Sequence, residues 1–136
     1  MKRILVLSVF LLVISTAFSQ VIKCRAYSFA HKEKNEYSSR WTEWSSWEEV
    51  DILIAIDLDN DRIKIFSKVD QIYDIIQYRG ESTDSDGDNT IEWLCVNEDG
   101  LKCALRLVKR YSEGGKSQLY IDFADFMFVY GIYKLD

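Results

Sequence analysis

Val50-Asp-Ile-Leu-Ile-Ala-Ile-Asp-Leu58, Asp59-Asn60-Asp61, Arg62-Ile-Lys-Ile-Phe66 is the stretch whose reading decides the fold. Ile52, Ile54, Ile56 and Leu58 recur at period two, so an extended chain carries them on one face. Ile63 and Ile65 then alternate with Arg62 and Lys64, and the Asp/Asn cluster between the runs is turn chemistry. The unit reads as a β-hairpin with one apolar and one wetted face.

A second hairpin follows the same logic. Ile91-Glu-Trp-Leu-Cys-Val-Asn97 and Leu101-Lys-Cys-Ala-Leu-Arg-Leu107 are joined by Glu98-Asp99-Gly100, a three-residue loop that suits a type I turn with Gly100 left-handed. That register sets Asn97 opposite Leu101, Val96 opposite Lys102 and Cys95 opposite Cys103. Ile91, Trp93 and Cys95 then share a face with Leu101, Cys103, Leu105 and Leu107, while Glu92, Lys102 and Arg106 fall on the other.

Further strands are expected over residues 21–30, 71–78, 119–123 and 126–133, with long connections only at 31–49 and 79–90. The last strand is almost continuously apolar, which suits a strand that closes a barrel or is covered on both faces. Aromatic residues make up 14% of the chain and proline is absent, so no proline interrupts a ladder. The expected fold is all-β: a single small antiparallel meander of about eight strands, closed as a barrel or flattened as a two-sheet sandwich. At the level of architecture this resembles the lipocalin-like small barrels, whose interiors hold apolar ligands. The Gly-x-Trp opening of that family is absent from the chain.

The N-terminus supplies an address. Lys2 and Arg3 precede the apolar run 4–14, and Ala17-Phe18-Ser19 offers small residues at a signal-peptidase site. Residues 1–19 are therefore expected to be a removed signal peptide and residues 20–136 one domain. The product is a periplasmic or extracellular protein of 117 of the 136 residues, whose formal charge moves from −5 to −7. Such a charge is repelled by phosphate backbones, so nucleic acid is not expected as a partner. Nor is a membrane anchor, because Cys24 follows Val21-Ile22-Lys23 and lacks the small residue of a lipoprotein site.

Three cysteines allow one disulfide in an oxidising compartment. Cys95–Cys103, opposed in the hairpin, is the best-motivated pair; a pair involving Cys24 and three free thiols are the alternatives. Ser82-Thr-Asp84-Ser-Asp86-Gly87-Asp88 places oxygen ligands at alternate positions, as a calcium loop does, though position twelve is Trp93 where a bidentate Glu belongs. Asp84, Asp86 and Asp88 are thus a weak calcium candidate beside the solvated-turn reading, and no other cofactor is expected. The one histidine, His31, sits in His-Lys-Glu-Lys, and no catalytic constellation forms around it.

Arg40-Trp41-Thr-Glu-Trp44-Ser-Ser-Trp47 resembles the W-x-x-W-x-x-W run of thrombospondin type 1 repeats. The cysteine framework of that family is missing, and Arg62, Arg79, Arg106 and Arg110 do not make its short-spaced basic strand. What carries over is the physics: three indoles at spacing three, with Arg40 positioned to stack on one. Either the indoles plug one end of the barrel, or Trp41, Trp44, Trp47 and Arg40 form a partly exposed platform. The platform reading leads to a non-enzymatic binding protein for a small apolar molecule or glycan. The alternative is a protein–protein module, such as an inhibitor or immunity-type protein, whose acidic loops meet a basic partner.

Overall fold

The structure, a computed structural model, describes residues 21–135. The expected signal peptide lies outside the described residues. Eight strands follow in order: β1 Val21–Glu33, β2 Glu48–Asp57, β3 Arg62–Phe66, β4 Gln71–Thr83, β5 Asn89–Asn97, β6 Lys102–Arg110, β7 Lys116–Asp122 and β8 Phe126–Lys134. Each pairs antiparallel with the next, and β8 pairs with β1, so the sheet is a closed barrel and not a sandwich.

The two decisive hairpins form in the expected register. Ile54 faces Ile65 and Ile56 faces Ile63, all four fully buried. Cys95 faces Cys103, and the Asn97 N–H closes the turn on the Leu101 carbonyl at 2.9 Å with Gly100 at φ 81°. Alternate inward residues fill the interior: Ile54, Ile56, Ile63, Ile65, Leu105 and Leu119 have no exposed surface. Trp93 and Tyr73 fill the space between them. An eight-stranded barrel is just wide enough to be filled in this way.

One end is closed by phenylalanines. Phe123 stacks on Phe126 with centroids 4.4 Å apart, and Phe126 and Phe29 both lean on Phe128. Beneath them the Tyr73 hydroxyl donates to Gln71 Oε1 at 2.5 Å, and Gln71 Nε2 donates to the Tyr130 hydroxyl at 3.1 Å. The tyrosine oxygens are thus satisfied inside an otherwise apolar core, and burial pushes both phenols above their ordinary range. Outside, arginines tie neighbouring strands: Arg25 to Asp51 and Arg62 to Asp74 at 3.0 Å each, and Arg106 to both oxygens of Asp122. Charge outside and hydrocarbon inside reverses the arrangement of a bilayer-spanning barrel.

Two expectations need correcting. β4 runs on to Thr83 and β5 begins at Asn89, so the expected long connection 79–90 shrinks to residues 84–88. Residues 79–83 are almost all exposed, which removes the alternation that marks a strand in sequence. The Cys95–Cys103 disulfide is also not formed: Cys24, Cys95 and Cys103 are free, buried thiols. Alternation from the Asn97–Leu101 bond makes Cys95–Cys103 a hydrogen-bonded pair, with Cα atoms about 5.5 Å apart, so strand register opposes the two thiols but does not by itself set their oxidation state. Burial, reinforced by the opposed sulfur and Asp74, pushes the Cys95 thiol up to about 12. Burial and Asp122 do the same for Cys103, also to about 12. Both thiols are held neutral and unreactive.

Ile65→Ala is expected to lower unfolding free energy by about 2–5 kcal/mol in a urea titration, while Lys64→Ala, one residue away on the outer face, changes it by less than about 0.5 kcal/mol. Ellman's reagent should leave the folded, unreduced chain untouched and titrate three thiols once it is denatured; a count of one would reveal a disulfide.

Candidate functional site

The tryptophan segment neither plugs the barrel nor enters it. It lies as a strap along the outer wall, and its attachment follows from where the sheet runs out of partners. β2 stops pairing with β1 at Glu48↔Phe29, which leaves the last residues of β1 with a free edge. Asn35 first turns the chain back: its Oδ1 accepts the Tyr37 and Ser38 N–H groups, and its N–H donates to the Arg40 carbonyl. Thr42 and Ser45 then fasten the strap. Their N–H groups donate to the Glu33 and His31 carbonyls at 2.8 Å each, and their hydroxyls accept the Glu33 and His31 N–H groups at 3.1 and 2.9 Å. Hydroxyls at spacing three thus replace a missing ladder, and the indoles at the same spacing are free to turn elsewhere.

They turn over the outer face of β1, β8 and β7. Lys32 Nζ stands 5.4 Å from the Trp41 ring and 4.7 Å from the Trp44 ring, and Lys34 Nζ lies 5.9 Å from the Trp41 ring. The cations on the indoles are therefore these lysines and not Arg40, which is exposed and accepts the Asn35 N–H through its backbone carbonyl. Trp44 meets Tyr120 edge-on at 6.0 Å, and Tyr120 is backed by the Arg106 guanidinium at 4.4 Å. Under this cover Ala30 and Val129 are buried although they point away from the core.

Between the strap and the β6–β7 turn opens a cleft of ≈ 500 Å³. Trp44, Trp47 and Tyr27 form its aromatic side, with 38% of Trp44 and 53% of Trp47 still exposed. Val129 and Gly131 form the floor. A Cβ at Gly131 would collide with Ser28 Oγ and crowd the Tyr27 ring, so a larger residue there would force these side chains to move. The opposite side is polar: Arg110, Glu113, Lys116 and Gln118. Gln118 Oε1 accepts the Tyr120 hydroxyl at 2.8 Å and Arg110 Nη1 at 3.4 Å, which leaves its amide nitrogen as the donor end.

Asp88 anchors this polar side. Its carboxylate accepts the Ser112 N–H at 2.9 Å, the Ser112 hydroxyl at 2.8 Å and Arg110 Nε at 3.0 Å. Those bonds, the Ser112 N–H foremost, hold the Asp88 carboxyl below the usual carboxylate range against the opposing effect of burial. The structure does not gather the three calcium candidates around one point. Asp88 turns inward to Ser112 and Arg110, and Asp84 Oδ1 is occupied by the N–H groups of Asp86 and Asp88. Among the described residues no three acidic, His or Cys side chains gather to hold a metal ion.

Of the sequence candidates, then, Trp44 and Trp47 line one cleft, while Trp41, within reach of Lys32 and Lys34, and Arg40 do not line it. Tyr27, Arg110 and Gln118 were not anticipated. Gly131 was the available signal: an isolated Gly in a strand pattern marks a close approach from outside.

A depressed carboxylate stabilises the fold above its unfolded pKa, and that contribution is lost as pH falls through the folded value. The thermal midpoint should therefore drop as pH falls below about 4. Asp88→Asn is expected to lower the midpoint at neutral pH and flatten the acid limb; superimposable limbs would remove Asp88 from this role. Comparison of the chain with protein-family models, with curated proteins and with solved structures returned no match, so the functional reading rests on the chemistry of the cleft itself.

Proposed function

We propose that the chain is an exported, non-enzymatic binding module whose ligand is a glycan held in the outer-wall cleft. The observation that carries this is the pairing, across one cleft, of half-exposed indole faces with planar hydrogen-bonding groups. A sugar ring has an apolar C–H face and a rim of hydroxyls. Trp44 and Trp47 suit the face, and Gln118, Glu113 and Arg110 suit the rim. A wholly apolar small molecule is a poorer match, because the barrel interior is filled by side chains and the cleft has a charged wall.

Export is part of the proposal and rests on residues 1–19 of the sequence. It is compatible with a site whose groups act by shape and hydrogen bonding and that asks for no cofactor. The single histidine takes no part in it, since its ring packs on Phe29 at 5.9 Å.

Titration of intrinsic tryptophan fluorescence with a panel of soluble oligosaccharides checks this directly. At least one glycan should give a saturable change, and Trp44→Ala or Trp47→Ala should weaken it about tenfold, as expected for one lost platform of roughly 1.4 kcal/mol. A flat response across the panel, or full binding by a folded Trp44→Ala variant, would sink the proposal.

A further inference from the structure

At the end of the barrel opposite the phenylalanine stack, the sheet parts between two neighbouring strands. β3 and β4 are paired only as far as Arg62↔Asp74. The last link beyond that is the Ile75 N–H donating to the Asp61 carbonyl at 2.7 Å. β4 beyond this point bulges twice against β5, between Ile75 and Gln77 and between Tyr78 and Gly80, and each bulge bends the strand. The parting leaves a hollow of ≈ 440 Å³. Trp93 and Ile75 line its base, Ile76 and Tyr78 one wall, and Leu58 and Asp61 of the turn the other. It is separate from the outer-wall cleft, with which it shares no residue.

The surfaces here are unusual for a wetted rim, since Ile76 is 52% and Tyr78 59% exposed. Among the residues that line the hollow, Asp61 alone carries a formal charge. Asp57, at the end of β2, has its carboxylate taken up by the Asn60 N–H and side-chain amide. The nearest arginines are already engaged, Arg62 with Asp74 at 3.0 Å and Arg79 with Glu92 at 3.6 Å. An anion would meet a carboxylate, and a neutral hydrocarbon would strip water from one without recompense. A cation with an apolar body satisfies both halves: aromatic faces and isoleucines for the body, Asp61 for the charge.

We propose that this parting of the sheet is a second binding site, for an organic ammonium ion carrying an aromatic or branched apolar group. The site stands independently of the glycan reading.

Benzyltrimethylammonium is a suitable probe, with benzyl alcohol and benzenesulfonate as its neutral and anionic counterparts, each titrated into the full chain and followed by NMR. The cation should shift the Trp93 indole N–H and the Ile75 methyls saturably, while benzenesulfonate leaves them in place. Asp61→Asn and Tyr78→Ala should each weaken the cation about fivefold or more. Asp61 has φ 50°, a left-handed conformation that Asn also accepts, and Tyr78 is exposed, so both variants are expected to fold. Trp44→Ala should leave the cation's affinity unchanged, which separates this site from the outer-wall cleft. Benzyl alcohol binding as tightly as the cation, unchanged affinity in Asp61→Asn, or shifts that do not saturate would overturn the proposal.

Discussion

The seam between β8 and β1 is the constraint on which the rest of the structure depends. It runs from Cys24↔Lys134 to Glu33↔Phe126 and turns an eight-strand meander into a cylinder with no lateral edge. Closure at eight strands sets the interior width, and that width is used up by isoleucines, leucines and aromatic rings. A ligand site in this protein therefore has to be built outside the cylinder or at a break in it. Both candidate sites obey that rule.

The outer wall divides according to how its neighbours are joined. Across β1–β2, β3–β4 and β6–β7 the seams carry arginine–carboxylate pairs, which at the surface contribute about 0–1 kcal/mol each. Over β8 and the far half of β1 the outward residues include the small or apolar Ala30, Val129 and Gly131, with Lys32 beside them under the indoles. They would be a liability if bare, and the strap covers them. The bulge between Ala26 and Ser28, present in both of the seams that β1 makes, brings Ser28 opposite Gly131 beneath that cover. One wall thus carries paired charges and the other the cleft.

Much of this was legible in the residues. Period-two alternation around Asp59-Asn60-Asp61 and Glu98-Asp99-Gly100 is enough to place four strands and their registers, because turn length and apolar face have to agree. The apolar run 126–133 announced its role as the strand that closes the sheet. What escaped was lateral. Nothing local to Trp44 says that its neighbour is Tyr120, and nothing local to Asp88 says that Ser112, 24 residues on, fills its carboxylate. A loop rich in Asp looks the same whether its oxygens face solvent, a metal or another loop. Likewise the opposition of Cys95 and Cys103 follows from register, whereas their oxidation state does not. Residues 79–83 eluded the pattern because a strand that projects past the rim has no buried face to write into its sequence.

The closing seam is also the contact of longest reach. Its partners lie about a hundred residues apart, while every other pairing joins consecutive strands across a short turn or a single strap. Closing a loop of that length costs more chain entropy than closing any of the hairpins. The aromatic cleft spans the same join, with Tyr27 and the strap on one side of it and the β6–β8 residues on the other. The cleft is therefore assembled only by closure of that seam: a chain whose β8 is not yet paired with β1 holds the two walls of the cleft apart.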